Sequence, residues 1–150
     1  MRVPSFIFAI TIRQIYTASV SRYAKNAGAV FSLKAHFVWC PKYRRSVLVN
    51  TVAKRLEQLL REKAASLEMT IHALEIMPDY LHLFLEFDPR WGVAEIVNRL
   101  KGYTSRVLRE EFPHLRSRLP TLWSRSYFCS TVGTVSERTV RHYVDSQKGK

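Results

Sequence analysis

The sequence predicts an α+β fold of the split βαβ type, ferredoxin-like and RRM-like, in which an antiparallel sheet carries two helices on one face. Three observations predict it. Some segments alternate apolar and polar side chains, as half-buried strands do, and others repeat apolar residues at helical spacing. Turn residues such as Pro41, Pro78 and Pro113 separate these segments. Their order is β-α-β-β-α-β and then a terminal helix, over residues 30–39, 51–67, 69–76, 80–87, 93–111, 127–132 and 136–147.

Length and composition allow a single domain with a strongly basic surface. The chain has 150 residues, of which 47% are hydrophobic and 12% aromatic, and this is enough for one core. Lys and Arg number 24 against 12 Asp and Glu, so the net charge is +12. A small domain this basic usually binds a polyanion, with nucleic acid as the first candidate and an acidic membrane surface as the second. A basic surface that is only solvated is the remaining alternative.

Cysteine usage and hydropathy indicate a cytoplasmic protein. Cys40 and Cys129 are far apart and lack metal-ligand spacing, which excludes a disulfide framework and a zinc ribbon. No run approaches the roughly 20 apolar residues of a membrane span. We predict a poorly defined N-terminal extension at residues 1–27 and one domain at 28–150. Residues 3–12 resemble a short signal peptide, but an upstream extension or a mis-set start codon is the favoured interpretation.

The predicted strands share a polar face that could hold a metal ion. The strand over residues 80–87 points its leucines to one side and Tyr80 and His82 to the other. His36 lies on the polar side of the first strand, and Glu75 belongs to the second. Imidazole nitrogens with carboxylate oxygens suit Mg²⁺ or Mn²⁺, with waters completing the shell. Strand register is open at this stage, so the convergence of these side chains is a hypothesis.

Alternation also makes a prediction about the faces of the strand over residues 69–76. It places Ile71 on the face of Glu75 and His72 on the opposite face. We expect the leucine faces of the sheet to meet the two helices. The polar faces would then be left open to a substrate or a partner.

The last helix brings two further polar groups. Val140, Tyr143, Val144 and Gln147 fall at i, i+3, i+4 and i+7, so they share one stripe. Tyr143 is a candidate nucleophile, which needs a metal ion or a base to offset a phenol pKa of about 10. Gln147 offers a neutral oxygen ligand. The alternative is that the tyrosine belongs to a core or an interface.

Basic residues cluster where DNA contacts are expected. The loop after the first strand contains three cations and an aromatic ring, in Lys42, Tyr43, Arg44 and Arg45. Such a cluster suits phosphate contacts with base stacking, although an ordinary solvated loop has the same composition. Lys101 and Arg106 lie on the basic flank of the second helix.

These pieces together resemble the single-tyrosine HUH transposases of the insertion-sequence 200/605 family. The resemblance covers nearly the whole chain from about residue 30 to residue 148. Each motif alone is weak, but their order is specific: HFVWCPKYRR at 36–45, MPDYLHLF at 77–84, LKGYTSR at 100–106, LWS at 122–124, YF at 127–128, STVG at 130–133 and VRHYVDSQ at 140–147.

The resemblance implies a metal-dependent transposase that acts on single-stranded DNA and recognises subterminal hairpins. Tyr143 would attack a backbone phosphate, form a 5′-phosphotyrosine link and release a 3′-hydroxyl. Mg²⁺ or Mn²⁺ would be bound by His82 and Gln147, with Glu75 as a further ligand and with His36 and Asp79 supporting these ligands. The resemblance also implies a homodimer in which the tyrosine helix serves the partner's metal site.

One residue departs from the family's His-hydrophobic-His motif, because the chain has Tyr80 where the first histidine is expected. A neutral phenol is a poor metal ligand beside an imidazole. Three outcomes follow. Glu75 or Asp79 could complete the metal shell with waters, Tyr80 could bind as phenolate, or the protein could be a catalytically impaired hairpin-DNA-binding protein. An RNA-binding domain of the same topology is a weaker alternative, which His36 and His82 on the central strands argue against.

Overall fold

The computed structural model describes residues 24–131 and 137–150. A small two-stranded sheet comes first, and a four-stranded sheet with helices follows. The strands are β1 Ala24–Lys25, β2 Val30–Phe31, β3 Lys34–Trp39, β4 Thr70–Met77, β5 Tyr80–Glu86 and β6 Phe128–Ser130. The helices are α1 Asn50–Ser66, α2 Val93–Glu111, α3 Pro113–Arg118 and α4 Glu137–Ser146. A 3-10 turn, Lys42–Arg44, lies between β3 and α1.

The main sheet has the strand order β4-β5-β3-β6, and every neighbouring pair is antiparallel. This is the split βαβ arrangement, so the predicted fold class is confirmed. The register between β3 and β5 places Phe37 opposite Leu83 and Val38 opposite His82. The register between β4 and β5 places Glu75 opposite His82. Val38 of β3 and Glu75 of β4 therefore lie on either side of His82 in β5.

One face of the sheet forms the main core with α1 and α2. Alternate residues of the central strands, among them Phe37, Trp39 and Leu83, are fully buried there. Leu56 and Leu60 of α1 and Leu100 of α2 lie in the same cluster. Burial of each such side chain contributes about 1.5–3 kcal/mol, so this layer supplies most of the stability of the fold.

Predicted and observed elements differ mainly at their ends. α2 has the predicted bounds, and it ends before Pro113, which disfavours helical geometry in the residue before it. The predicted strand over 30–39 is divided into β2 and β3. The segment after Pro113 was predicted as a linker, but it forms α3 because proline fits the first turn of a helix. The predicted first residue of the last helix, Ser136, lies outside the described residues.

A β-bulge in β4 corrects one predicted face assignment. The register with β5 shifts between Ile71 and Ala73, so the intervening residue His72 has no opposite partner in the ladder. Ile71 consequently packs against the main core, and His72 forms a hydrogen bond with Glu86 near the Phe84 ring. The prediction that Ile71 shares the face of Glu75 was wrong, because strict alternation ignores the inserted residue.

The second face of the sheet is not left fully open. Val140 and Val144 of α4 form a smaller apolar cluster with Val38, Cys40 and Tyr80. The prediction of an open polar face therefore fails at this end of the sheet, where Val38 and Cys40 make the surface apolar. The cluster positions Tyr143 of the same helix against the sheet.

Two predictions concern the beginning of the chain and its relation to membranes. Residues 1–23 of the predicted extension lie outside the described residues, and the boundary at residue 28 stays a prediction. Residues 24–31 form a hairpin, and Asn26 donates a hydrogen bond to Asp88 at 2.7 Å. Among the helices that the structure describes, none has the length and apolar character required to cross a membrane.

Candidate active site

Two buried histidines lie side by side on the second face of the sheet. His36 Nδ1 and His82 Nε2 are 3.0 Å apart. The side chains lie diagonally across β3 and β5, and their exposed fractions are 1% and 2%. The Phe84 ring stacks on His36 with 4.4 Å between ring centroids, which fixes the orientation of that imidazole. Sequence alternation predicted that these residues share a face, and their contact follows from the register.

The protonation of His82 is set by its surroundings. Burial, followed by the neighbouring His36, lowers the pKa of His82 to about 3. Its imidazole is therefore neutral near pH 7. A neutral imidazole keeps a nitrogen lone pair, which can accept a hydrogen bond or bind a metal ion.

Acidic side chains lie on both sides of this pair along the sheet. Glu75 sits opposite His82 in the β4–β5 ladder, and only 8% of it is exposed. Farther along the same face, Glu86 is bonded to His72. Sequence reasoning missed His72 because the bulge that turns it to this face has no signature in the alternation pattern.

Tyr80 and Asp79 occupy different surroundings from the histidines. The Tyr80 ring is buried in the apolar cluster with Val140 and Val144. The Asp79 carboxylate forms an ion pair with Arg44 Nε at 3.1 Å. Arg44 also contacts Asp145 at 3.0 Å, and it thereby joins the β4–β5 turn to α4.

Tyr143 lies on the side of α4 that packs against the sheet, and Gln147 directly follows this helix. Tyr143 Oη donates a hydrogen bond to Ser126 Oγ at 3.3 Å, and its ring packs against Phe128. Burial raises the pKa of Tyr143 to about 12, although the Ser126 hydrogen bond lowers it in part. Gln147 is 4% exposed, and its Oε1 atom accepts no hydrogen bond within the described part of the chain. A buried amide oxygen without a donor is a candidate cation ligand.

The expected metal ligands do not gather into one complete cluster in a single chain. Among residues 24–131 and 137–150, no three His, Cys, Asp or Glu side chains form a group that could hold a metal ion. The imidazole pair and the Gln147 oxygen have lone pairs that could bind a metal ion, but Tyr143 donates a hydrogen bond to Ser126 and Gln147 donates one to Ser146. The metal-binding roles of His82, Gln147, Glu75 and Tyr80 therefore stay predictions.

The predicted DNA-binding residues do not all lie at one place. Lys42, Tyr43 and Lys101 line one cleft of about 610 Å³ between α2 and residues 120–127. Arg44 is engaged in ion pairs, and Arg106 lies 3.8 Å from Glu110.

Arg45 is separate from these residues and lines another cavity with Arg118. Ser124 and Arg125 also line the first cleft. Sequence reasoning named Ser124 only as part of the LWS motif and missed the place of both residues in the cleft, because serines and arginines in a basic linker do not indicate a binding role.

The fold and this site together define a class, the small DNA transposases built on one split βαβ domain with a tyrosine-bearing terminal helix. Residues 29–147 match the family model described as "Transposase IS200 like". The chain therefore belongs to the IS200-like transposase family, and the family predicted from the motifs is confirmed.

Relatives and solved structures agree with this assignment. The chain is 36% identical over 128 residues to the ISDra2 transposase TnpA of Deinococcus radiodurans, covering 84% of this chain and 91% of the relative. It is 28% identical over 123 residues to the IS200 transposase of Salmonella typhimurium, covering 79% and 81%. A crystal structure from Deinococcus radiodurans, described as a candidate transposase, superposes with a TM-score of 0.75 at 37% identity, covering 85% of this chain and 99% of that chain.

A more distant structure shares the fold alone. The REP-associated tyrosine transposase bound to a REP hairpin superposes with a TM-score of 0.51 at 14% identity. The match covers 81% of this chain and 68% of that chain.

Proposed function

We propose that this transposase cuts and rejoins single-stranded DNA through Tyr143, at element ends marked by subterminal hairpins. The Tyr143 oxygen attacks a backbone phosphorus, the P–O3′ bond breaks, and the 3′ oxygen leaves and takes up a proton. The product is a 5′-phosphotyrosine, which a 3′-hydroxyl later attacks to rejoin strands. The observation that carries the proposal is the packing of the Tyr143 helix on the sheet face of the His36–His82 pair.

Tyr143 requires activation before it can attack. With a pKa of about 12, its phenol keeps its proton near pH 7. A positive charge near the oxygen would stabilise the phenolate and lower this pKa. A divalent cation on the same face therefore belongs to the proposal.

The donor atoms on this face fit Mg²⁺ or Mn²⁺. His36 Nδ1 and His82 Nε2 share a hydrogen bond of 3.0 Å, and loss of the proton between them would leave two nitrogen lone pairs for one ion. We propose that these two imidazoles and Gln147 hold the ion, with Glu75 nearby. When bound, the ion would polarise the scissile phosphate.

Tyr80 is not included among these ligands. Its ring is packed with the α4 valines in the apolar cluster, whereas His36 lies beside His82. We therefore propose that the second imidazole of the site comes from β3 rather than from the first motif position. This arrangement supports an active enzyme over the impaired hairpin-binding alternative.

A homodimer is part of the same proposal. Within one chain, Tyr143 donates a hydrogen bond to Ser126 and Gln147 donates one to Ser146, so neither of these bonds is to an imidazole. We propose that two copies exchange their α4 helices, so that each Tyr143 takes the same position beside the histidines and the Ser126 loop of the other subunit. DNA is then shared between the two subunits.

A covalent-adduct assay tests the proposal. The protein is incubated with Mn²⁺ and a single-stranded oligonucleotide that contains the end of the surrounding element, and the mixture is separated on a denaturing gel. We expect an adduct with the unmodified protein, none with Tyr143→Phe, and a normal yield with the control Tyr103→Phe. Absence of an adduct from the unmodified protein, or its persistence in Tyr143→Phe, would overturn the proposal.

A further inference from the structure

We infer that the cleft between α2, the 3-10 turn and residues 120–127, here called the Lys101 cleft, binds one unpaired nucleotide of the DNA strand next to the cut. The inference rests on the proposed function, since its ligand is the strand that Tyr143 attacks. The cleft has a volume of about 610 Å³, within the range of about 300–1,000 Å³ of small-molecule sites. The volume suits a nucleotide.

The charge of the cleft is positive and is not neutralised by neighbouring acids. Lys42, Lys101 and Arg125 line it, and no lining residue is acidic. None of these three cations forms an ion pair with a carboxylate in the described ranges. Arginines elsewhere do so, for instance Arg55 with Glu111 at 2.8 Å. An uncompensated group of cations in a cleft attracts phosphate.

Lys101 holds its ammonium in a fixed position. Nζ donates hydrogen bonds to the backbone oxygens of Ser124 and Ser126, both at 2.8 Å. An ammonium has three N–H donors, so one is left for a ligand. A cation that two carbonyls already hold loses little conformational entropy when a phosphate binds.

Ser124 supplies a second polar group. It lines the cleft, only 4% of it is exposed, and its Oγ atom has no hydrogen-bond partner in the described part of the chain. A buried hydroxyl without a partner costs free energy, which a ligand oxygen or nitrogen would recover. This hydroxyl therefore points to a polar ligand and not only to attracted counterions.

Tyr43 places an aromatic ring at the same cleft. Its φ of 60° lies in the left-handed region, as does that of Arg44 at 52°, and such residues concentrate at functional sites. The Tyr43 side chain is 41% exposed although it is large and apolar. An exposed ring beside cations suits stacking of an unpaired base.

The cleft also adjoins the proposed nucleophile. Ser126 lies between the lining residues Arg125 and Tyr127, and it accepts the hydrogen bond of Tyr143. Lys101 fixes the same serine through its backbone oxygen. A nucleotide in the cleft would therefore lie next to the phosphate that Tyr143 attacks.

Fluorescence anisotropy with labelled hexadeoxythymidine tests the inference without requiring cleavage. We expect Lys101→Gln and Tyr43→Gly each to weaken binding at least fivefold. Tyr43→Gly keeps the fold, because glycine adopts a positive φ without strain, so its melting temperature should not fall. Lys101 Nζ lies 6.0 Å from the centre of the Tyr127 ring. The matched control is Lys63→Gln, since Lys63 Nζ lies 5.1 Å from the centre of the Tyr103 ring but outside the cleft. This variant should bind within twofold of the unmodified protein.

The outcomes separate this inference from the proposed function. If Lys101→Gln and Tyr43→Gly both bind within twofold of the unmodified protein, the cleft is not a nucleotide site, whatever the adduct assay shows. If both weaken binding while no adduct forms at Tyr143, the cleft binds DNA and only the proposed cleavage chemistry fails.

Discussion

His36 Nδ1 on β3 lies 3.0 Å from His82 Nε2 on β5, so the two imidazoles of this site come from adjacent strands. In the motif that the family uses, both would come from one strand, at positions 80 and 82. Here Tyr80 belongs to the apolar cluster beneath α4. The chain therefore has two neighbouring imidazoles despite the tyrosine in its motif.

The first prediction concerns the metal contribution of His36. His36→Gln should weaken Mn²⁺ binding at least tenfold in a calorimetric titration, because it removes one of the two nitrogen ligands that we propose. The control is His72→Gln, which removes an imidazole from the same sheet face but away from His82, and it should change the affinity less than threefold. Equal Mn²⁺ affinity of His36→Gln and the unmodified protein would limit His36 to a hydrogen-bonding role.

The second prediction concerns Tyr80. Tyr80→His should lower the free energy of unfolding by about 1–3 kcal/mol, because it places a polar ring in an apolar cluster. It should not increase the adduct yield. Tyr80→Phe, the matched control, should keep both yield and Mn²⁺ affinity. A tenfold higher adduct yield in Tyr80→His would instead show that the unmodified protein is the catalytically impaired hairpin-DNA-binding protein.

The third prediction is a pH dependence that arises from Lys101. Burial lowers the pKa of Lys101 to about 8, so the ammonium loses its proton as pH rises through 8. Cys40, whose pKa burial raises to about 12, stays a neutral thiol in this range, and Lys42 and Arg125 also line the cleft. The affinity for hexadeoxythymidine should fall about fivefold to tenfold from pH 7 to pH 9, since a charged hydrogen bond of about 1.5 kcal/mol is lost.

Lys101→Arg is the control for this pH effect. Its guanidinium stays charged over the whole range, so the affinity should change less than twofold between pH 7 and pH 9. A fall of the same size in both proteins would assign the pH dependence to another group.

The fourth prediction concerns the dimer. His82→Ala and Tyr143→Phe should each be inactive alone. When the two are mixed and allowed to exchange subunits, adducts should form on the His82→Ala subunit, because its Tyr143 can serve the intact histidine of the partner. A mixture that remains inactive while heterodimers form would show that each chain uses its own tyrosine.

Strong periodic patterns made most of the fold predictable from the sequence. The leucine alternation of β5 and the apolar stripe of α2 exist because each element buries one side in the core. Burial of the same side chains stabilises the fold, so these patterns predict it. The sheet face on which His72 lies was not predictable, because a bulge inserts one residue into a strand without changing the composition of that strand. The docking of α4 on the second sheet face was missed for another reason, since an amphipathic helix does not reveal which apolar surface it covers.

The candidate site was predictable in its residues but not in its contacts. His36, Tyr80 and His82 were placed on one face by alternation, whereas only the register showed that His36 lies beside His82. Ser124 belongs to the LWS motif, but the roles of Ser124 and Ser126 could not be predicted, because they depend on the long-range contact with Lys101.

The central claim is that Tyr143 forms the covalent link to DNA, and mass spectrometry of the trypsin-digested adduct tests it most directly. Cleavage after Arg141 and Lys148 releases a peptide of residues 142–148 in which Tyr143 is the single tyrosine. We predict that this peptide carries the nucleotide mass on Tyr143 and that the DNA is joined through its 5′ phosphate. Nucleotide mass on any other residue, or a link through a 3′ phosphate, would contradict the account.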